Sequence, residues 1–375
     1  MTPDQDVHPV SGARNHRPVI AIVGSVGIPA KYGGFETLVE NLVRYHARKS
    51  LPGALTVYCS SRAYADRPSH YEGAELRYIP LDANGISSVI YDAISIFRAI
   101  IQRADVIMVL GVSGALILPV ARLFSRAKFV VNIDGLEWRR EKWSRAASLF
   151  LKFSERLAVH FADTVIADNG GIVDHVAEAY GAKAIEIPYG GDNALLGAGN
   201  ASARSDASPY SLMLCRIEPE NNVHLILAAF AKTERKLVAV GNWQSSAYGR
   251  SLADQYRGVP NIKILDPVYE PKALYALRHH ASAYIHGHSA GGTNPSLVEM
   301  MILGKPVLAY DCVYNRYTTE NSARYFDSEA TLATLVNSSE WPLDDAEGLT
   351  MRDIASRRYT WDIVGRQYFD VMLER

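Results

Sequence analysis

Short apolar runs rich in β-branched residues recur along the chain and are separated by stretches with helical periodicity. The runs lie at residues 19–23, 55–58, 106–110, 129–133, 164–167 and 185–187, and again at 211–214, 237–240, 262–265, 283–285 and 306–309. Strands that alternate with helices are typical of parallel sheets covered by crossover helices on both faces. The pattern therefore predicts a doubly wound, Rossmann-like α/β fold.

The alternation pauses at residues 193–209, where bulky apolar side chains are nearly absent, and then restarts. The chain length of 375 residues also fits two domains. We predict a disordered tail (1–17), an amino-terminal domain (18–195), a linker (196–208), a carboxyl-terminal domain (209–357) and a final helix (358–375).

The final segment has Trp361, Val364, Tyr368 and Val371 at helical spacing, which predicts an amphipathic helix with one buried stripe. Either domain can receive it, and we expect it to pack back on the amino-terminal domain. Two Rossmann-like domains joined by a linker form a cleft between the carboxyl ends of two sheets, where such folds bind ligands.

Charge and cysteine content narrow the function classes. The 39 basic and 40 acidic residues give a net charge of -1, which argues against a whole-protein nucleic-acid surface. The three cysteines are far apart, as in proteins of a reducing compartment. The first 17 residues lack the apolar core of a signal peptide, and the apolar run 106–121 is shorter than the roughly 20 residues of a spanning helix. We therefore expect a cytoplasmic protein.

Two glycine-rich loops are candidate anion sites, because each follows a predicted strand and precedes a helix. Glycines let a ligand approach the backbone, and free N–H groups at a helix start favour anions. The first loop, residues 24–37, lacks the G-x-G-x-x-G spacing of nicotinamide sites, and a purely structural turn remains the alternative. The second, residues 286–299, contains Gly291 and Gly292 followed by a suitable helix start. Its Glu299 lies one turn into the helix, where it reaches ribose hydroxyls or, alternatively, faces solvent.

His286 and His288 are two residues apart on an extended segment, so they are poorly placed to share a metal ion. No metal site and no cofactor are predicted.

The sequence resembles the GT-B glycosyltransferases of family 4, in particular the subgroup with the domain of unknown function 1972, which includes bacterial rhamnosyltransferases. The resemblance covers nearly the whole chain and rests on six motifs in the expected order, at residues 27–37, 134–143, 167–169, 187–192, 216–222 and 286–299. It implies two Rossmann-like domains facing across a cleft. It also implies a retaining sugar transfer in which the donor's phosphate acts as the base, with a dTDP- or UDP-linked sugar as co-substrate.

The resemblance implies that Arg216 contacts the donor diphosphate, a role suited to a guanidinium. The lysine expected five residues later is Asn221 here, and the first Glu of the usual E-x7-E element is Gly291. Backbone amides and Thr293 or Asn294 would then bind the hydroxyl groups of the sugar. The implied donor-binding residues are Gly33, Gly34, Arg216, Asn221, Gly241, Tyr269, Gly291, Gly292, Thr293, Asn294, Ser296, Leu297 and Glu299.

The predicted catalytic residues are Asp134, Arg216 and Glu299. Asp134 and Glu137 follow a strand's carboxyl end and are candidates to orient or deprotonate an acceptor hydroxyl. Trp138 offers a face for a sugar ring or is a core aromatic, and Trp243 and Tyr269 stack on the base or serve in packing. The predicted acceptor-binding residues are Lys31, Tyr32, Glu36, Glu137, Trp138 and Arg139.

Asp134 stands where related enzymes often carry a His that touches the donor's 6-hydroxyl. A 6-deoxy sugar has no such hydroxyl, so we predict dTDP-L-rhamnose as the donor. UDP-glucose and GDP-mannose are the alternatives within the fold. A nucleotide-sugar-binding protein without transfer activity is the rival class, because of Gly291 and Asn221. A nicotinamide-dependent oxidoreductase fits poorly.

The resemblance implies a polyprenyl-diphosphate-linked saccharide acceptor at the inner leaflet, in surface polysaccharide biosynthesis. Residues 139–156 mix cations and apolar side chains in a way that suits anionic lipid, and peripheral membrane association is expected. The alternative is an ordinary helix with a solvated charged face. The residues concerned are Arg139, Arg140, Lys142, Arg145, Lys152 and Arg156, with Trp143, Leu149, Phe150 and Phe153.

Overall fold

The computed structural model describes residues 17–31, 33–85, 87–133, 135–139, 144–198, 209–338, 341 and 344–374. Within these residues two largely parallel sheets are flanked by helices, which confirms the predicted doubly wound α/β architecture with two Rossmann-like domains. Residues 1–16 of the predicted tail and residues 199–208 of the predicted linker lie outside the described residues.

The first sheet forms the centre of the amino-terminal domain. Its strands are β1 (Val19–Val23), β2 (Ala54–Ser60), β3 (His70–Tyr71), β4 (Ala74–Ile79), β5 (Val106–Leu110), β6 (Lys128–Ile133), β7 (Thr164–Ala167) and β8 (Ile185–Glu186). Their spatial order is β3-β4-β2-β1-β5-β6-β7-β8, and β3 alone runs antiparallel to its described neighbour. Ile20 on β1 is aligned with Leu55 on one side and Val106 on the other.

The second sheet forms the centre of the carboxyl-terminal domain. Its strands are β9 (Ser211–Leu214), β10 (Leu237–Val240), β11 (Ile262–Leu265), β12 (Ala283–His286), β13 (Val307–Tyr310) and β14 (Arg324–Phe326). The order is β11-β10-β9-β12-β13-β14, with parallel pairing. The strand order reverses between β9 and β12, and in the first sheet between β1 and β5. Ligands of such sheets bind outside the carboxyl ends at these reversals.

Helices cover both sheets, and several of them begin at a residue whose side chain caps the helix. They are α1 (Gly34–Lys49), α2 (Ser87–Ile101), α3 (Leu118–Phe124), α4 (Arg145–Phe161), α5 (Gly170–Tyr180), α6 (Val223–Ala231), α7 (Ala247–Tyr256), α8 (Pro271–His280), α9 (Pro295–Ile302), α10 (Val313–Thr318), α11 (Glu329–Asn337), α12 (Asp345–Arg358) and α13 (Trp361–Leu373). Asn169 caps α5 and Asn294 caps α9 by accepting hydrogen bonds from backbone N–H groups. None of the helices in the described part of the chain is both long and apolar enough to cross a membrane.

The last helix belongs to the amino-terminal domain although it follows the other one in sequence. Val364 and Tyr368 of α13 are buried in the same core as Ile20 and Leu42. Asn132 on β6 donates a hydrogen bond to the Tyr368 hydroxyl at 2.6 Å. The chain therefore passes between the domains twice.

The two crossings are short. Tyr189 is buried in the amino-terminal core and Ala194 in the carboxyl-terminal core, so the first crossing occupies the residues between them, ahead of the predicted linker. Tyr359 is buried in the carboxyl-terminal core and Trp361 in the amino-terminal core, so Thr360 forms the second crossing.

Candidate active site

The loops that follow β9 and β12 are joined by hydrogen bonds at the point where the strand order reverses. The Asn221 amide donates to the backbone oxygen of Arg216 at 2.7 Å, and its Oδ1 lies 2.8 Å from Nδ1 of His288. Because Oδ1 is an acceptor, Nδ1 of His288 carries the proton. Asn222 donates to the Gly287 oxygen at 2.9 Å. The predicted donor residue Asn221 thus fixes the loop that carries Arg216.

The Arg216 side chain is 47% exposed at the carboxyl end of β9, and the Glu218 carboxylate lies 3.8 Å from it. His286, by contrast, is fully enclosed, and burial lowers its pKa to about 3. Across the described ranges, no group of three or more His, Cys, Asp or Glu side chains is arranged to hold a metal ion.

The second glycine loop lies directly against the amino-terminal domain. A Cβ on Gly292 would lie 1.7 Å from Oδ1 of Asp168, and a Cβ on Gly135 would lie 3.1 Å from Cα of Gly291. The Thr293 hydroxyl donates to the backbone oxygen of Asp168 and accepts from the Asn169 amide at 3.3 Å. The two domains meet here through backbone and small side chains, because larger ones do not fit.

Glu299 lies in the first turns of α9 and is 8% exposed, so it does not form a solvated helix face. Its Oε2 forms an ion pair with the buried Arg278 of α8. Its Oε1 accepts a hydrogen bond from the Asn193 amide at 2.7 Å. Both carboxylate oxygens therefore have protein partners, and each keeps a lone pair for a further donor.

The other predicted donor residues are spread over the carboxyl-terminal domain. Leu297 is fully buried in its core, whereas Ser296 lies beside the Tyr284 hydroxyl. A Cβ on Gly241 would lie 2.7 Å from the Cys215 oxygen, so this glycine allows a tight turn. Tyr269 is 69% exposed.

Trp243 is 1% exposed, and its Nε1 donates to the Leu265 oxygen at 2.9 Å. It is a core residue, as the packing alternative predicted, and does not stack on a base.

On the amino-terminal side, the first glycine loop is held by Glu36. Its Oε1 accepts from the Val26 N–H at 2.7 Å, and burial raises the pKa of this carboxyl. A Cβ on Gly33 would lie 1.8 Å from Oε2 of Glu36, and one on Gly34 would lie 3.1 Å from the Tyr189 hydroxyl.

Lys31 donates to the Ala63 oxygen at 3.0 Å and lies over the Tyr64 ring.

The other half of the predicted acceptor-binding residues lies after β6. Trp138 donates from Nε1 to the buried Glu155 carboxylate at 3.0 Å, and the charged groups of Arg139 and Lys152 lie 5.0 and 4.9 Å from its ring. Glu137 is partly buried beside it.

Arg139 reaches the carboxyl-terminal domain. Burial raises the pKa of Tyr314 on α10, and the nearby Arg139 guanidinium opposes that shift. Asp134 and Tyr32, also predicted site residues, lie outside the described residues, as do Arg140, Lys142 and Trp143 of the predicted lipid-facing segment.

Sequence reasoning did not assign roles to Asp168, Asn169, Asn193 or Arg278. Asp168 and Asn169 lie in the motif at residues 167–169, and Asn193 directly follows the motif at residues 187–192, so the sequence did indicate these positions. Arg278 gave none, since it is one of several basic residues near the end of a helix.

Comparison with known families agrees with this geometry. The family described as Domain of unknown function (DUF1972) matches residues 17–192, and the family Glycosyl transferases group 1 matches residues 200–329. The chain is a glycosyltransferase of the GT-B fold.

Solved structures resemble this glycosyltransferase over almost its full length. Sucrose-phosphate synthase from Thermosynechococcus elongatus has a TM-score of 0.75 and 16% identity, covering 96% of this chain and 99% of that one. Anabaena HepE in complex with UDP-glucose gives 0.70 and 16%, over 96% and 100% of the chains. WaaG, a glycosyltransferase involved in lipopolysaccharide biosynthesis, gives 0.68 and 14%, over 95% and 100%. At these identities the likeness concerns the fold. No curated protein matches the sequence of this glycosyltransferase.

Proposed function

We propose that this glycosyltransferase transfers a hexose from a nucleoside-diphosphate sugar with retention of configuration. The observation that carries the proposal is the position of Arg216 and of the Gly291–Gly292 turn, which lie in the loops after the neighbouring strands β9 and β12, at the reversal point of the second sheet. A half-exposed guanidinium and the backbone N–H groups of this glycine turn suit a diphosphate whose negative charge grows as the sugar leaves. Asp134 is proposed to orient the acceptor hydroxyl.

For the donor we propose dTDP-L-rhamnose, on the sequence argument from Asp134. UDP-glucose is the second candidate, favoured by the likeness to HepE, whose structure contains UDP-glucose; GDP-mannose is the third. A transfer and hydrolysis assay with the three nucleotide sugars tests this order. Turnover of dTDP-L-rhamnose above the other two supports the proposal, and no turnover of it refutes the rhamnose assignment.

A binding protein without transfer activity is distinguished by separating binding from turnover. Any donor present at 100 times its dissociation constant stabilises the folded protein by about 2.7 kcal/mol, so a thermal-shift panel detects it. Arg216→Ala should lose this stabilisation. Stabilisation by a nucleotide sugar without turnover on any lipid-linked acceptor would favour the binding protein.

For the acceptor we propose a polyprenyl-diphosphate-linked saccharide of surface polysaccharide biosynthesis, reached from the cytoplasmic face of the membrane. Helix α4 supports this, because Leu149 and Phe153 are 70% and 54% exposed on it. Lys152, Arg156 and His160 follow one another at four-residue spacing and border a groove of about 640 Å³ between α4 and α5. Cations beside exposed apolar side chains suit an anionic bilayer surface.

Flotation with liposomes tests the membrane contact. We expect co-flotation with vesicles containing anionic lipid and loss of it in the double variant Lys152→Glu/Arg156→Glu. The double variant Arg257→Glu/Lys263→Glu, which makes the same charge change at exposed sites of the other domain, is the matched control. A wild-type protein that does not float with anionic vesicles would dismiss the membrane contact.

A further inference from the structure

The two crossings between the domains lie side by side and are hydrogen-bonded to each other. The Gly191 N–H donates to the Tyr359 oxygen at 2.7 Å, and the Trp361 N–H donates to Oδ1 of Asp192 at 2.8 Å. Any change in the angle between the domains must therefore bend both crossings at this one place. We call residues 190–193 together with 359–361 the hinge.

Asn193 connects the hinge to the donor side of the cleft. Its Oδ1 accepts a hydrogen bond from Nε1 of Trp361 at 3.1 Å, and its Nδ2 donates to Oε1 of Glu299 at 2.7 Å. The indole nitrogen only donates and the carboxylate only accepts, so the orientation of the Asn193 amide is determined. Asn193, which lies in the first crossing, thus contacts both the second crossing and helix α9.

The backbone around Asn193 fits its surroundings closely. A Cβ on Gly190 would lie 2.5 Å from the Trp361 ring, and a Cβ on Gly191 would lie 2.7 Å from the backbone of Val298. Because the chain is in direct contact with both the indole and α9, a shift of either crossing changes the position of the Asn193 amide relative to Glu299.

Glu299 has a second anchor of a different kind. Its other oxygen pairs with Arg278, which lies on α8 of the same domain and is 6% exposed. Because Arg278 and Glu299 belong to the same domain, their contact is kept when the two domains move relative to each other. Among the described residues, the hydrogen bond from Asn193 joins the Glu299 carboxylate to the hinge.

We propose that Asn193 is a positioning residue that couples the orientation of Glu299 to the hinge, so that nucleotide binding and domain closure favour each other. The proposal rests on the proposed function, because it takes Glu299 as the carboxylate that accepts hydrogen bonds from the donor's ribose. Coupling of this kind is reciprocal: if closure strengthens ribose binding, ribose binding favours closure by the same factor.

Two variants separate this role from simple packing. Asn193→Asp keeps the acceptor for Trp361 but places a second carboxylate beside Glu299. Trp361→Phe keeps a smaller aromatic ring near Gly190 and removes the indole N–H that orients Asn193. The measurements are the affinities for UDP, dTDP and pyrophosphate by calorimetry, and the radius of gyration with and without nucleotide by X-ray scattering.

We expect Asn193→Asp to weaken UDP and dTDP binding about tenfold, the effect of losing one hydrogen bond to a charged group, and to abolish the nucleotide-induced compaction. Trp361→Phe should weaken them by a smaller factor. Pyrophosphate lacks the ribose, so its affinity should stay within twofold of wild type in both variants.

Three results are decisive against the coupling. The first is that both variants bind nucleotides and become compact like the wild type. The second is that the affinity for pyrophosphate falls as much as the affinity for UDP. The third is that Asn193→Asp does not fold, while Trp361→Phe folds and behaves like the wild type. A wild-type protein that binds pyrophosphate but no nucleotide, or none of the three, would instead refute the proposed function, and the coupling with it.

Discussion

The buried carboxyl group of Asp92 makes the stability of the amino-terminal domain depend on pH. Asp92 lies on α2 and is 1% exposed, and the Ser113 hydroxyl donates to its Oδ2 at 2.6 Å. Burial raises the pKa of this carboxyl from 3.8 to about 7, and the hydrogen bond from Ser113 only partly opposes the shift. The folded protein therefore binds this proton more tightly than the unfolded chain does.

The sign of the effect follows from that difference. The stabilising contribution of the protonated Asp92 is complete below about pH 4 and is lost as the pH rises to about 7. A difference of about 3 pKa units corresponds to about 4 kcal/mol in the free energy of unfolding, as an upper value. Above about pH 8 this group contributes no further change.

Asp92→Asn removes the titration and keeps an acceptor for Ser113. We expect the variant to match the wild type in urea unfolding at pH 4 and to exceed its free energy of unfolding by up to about 4 kcal/mol at pH 8. Asp266→Asn, at an exposed carboxyl of the other domain, is the control and should leave the pH profile unchanged. A difference between Asp92→Asn and wild type that is the same at every pH would contradict the reasoning.

Three further substitutions test the cleft. Glu299→Gln leaves Arg278 buried without its counter-charge and should lower the free energy of unfolding by about 3–5 kcal/mol in urea titration. The control is Asp362→Asn, which removes an exposed ion pair and should lower that free energy by at most about 1 kcal/mol. Equal effects of the two variants would argue against a buried ion pair. Arg216→Ala should raise the KM for the nucleotide sugar roughly 10- to 100-fold, measured by steady-state kinetics, and an unchanged KM would remove Arg216 from the diphosphate site. Thr293→Val removes a hydroxyl from the domain contact and should destabilise the protein by about 1–3 kcal/mol, seen as a lower Tm; an unaltered Tm would mean that the contact contributes little.

Most of the fold could be predicted because buried parallel strands are continuous apolar runs. Val19–Val23, Val106–Leu110 and Leu237–Val240 have the predicted bounds. The strand Ala74–Ile79 was not predicted, since polar Glu75 and Arg77 interrupt its apolar residues near the edge of the sheet.

The candidate site was only partly readable from the sequence. Arg216 and the turn before Thr293 follow strand ends, a local pattern. The contact between Asn193 and Glu299 joins residues 106 positions apart, and Asn169 contacts Thr293 across 124 positions. Such pairs depend on how the two domains meet, which neither periodicity nor motif spacing specifies.

The position of α13 has a consequence for how the protein is synthesised. The amino-terminal core buries Trp361, Val364, Tyr368, Phe369 and Met372 from the last part of the chain. Burying five large apolar side chains contributes about 1.5–3 kcal/mol each, comparable to the whole net stability of a typical domain, about 5–15 kcal/mol. On the ribosome the first domain to emerge therefore remains incomplete until the second has been translated. A fragment ending at residue 192 should accordingly be unable to fold by itself.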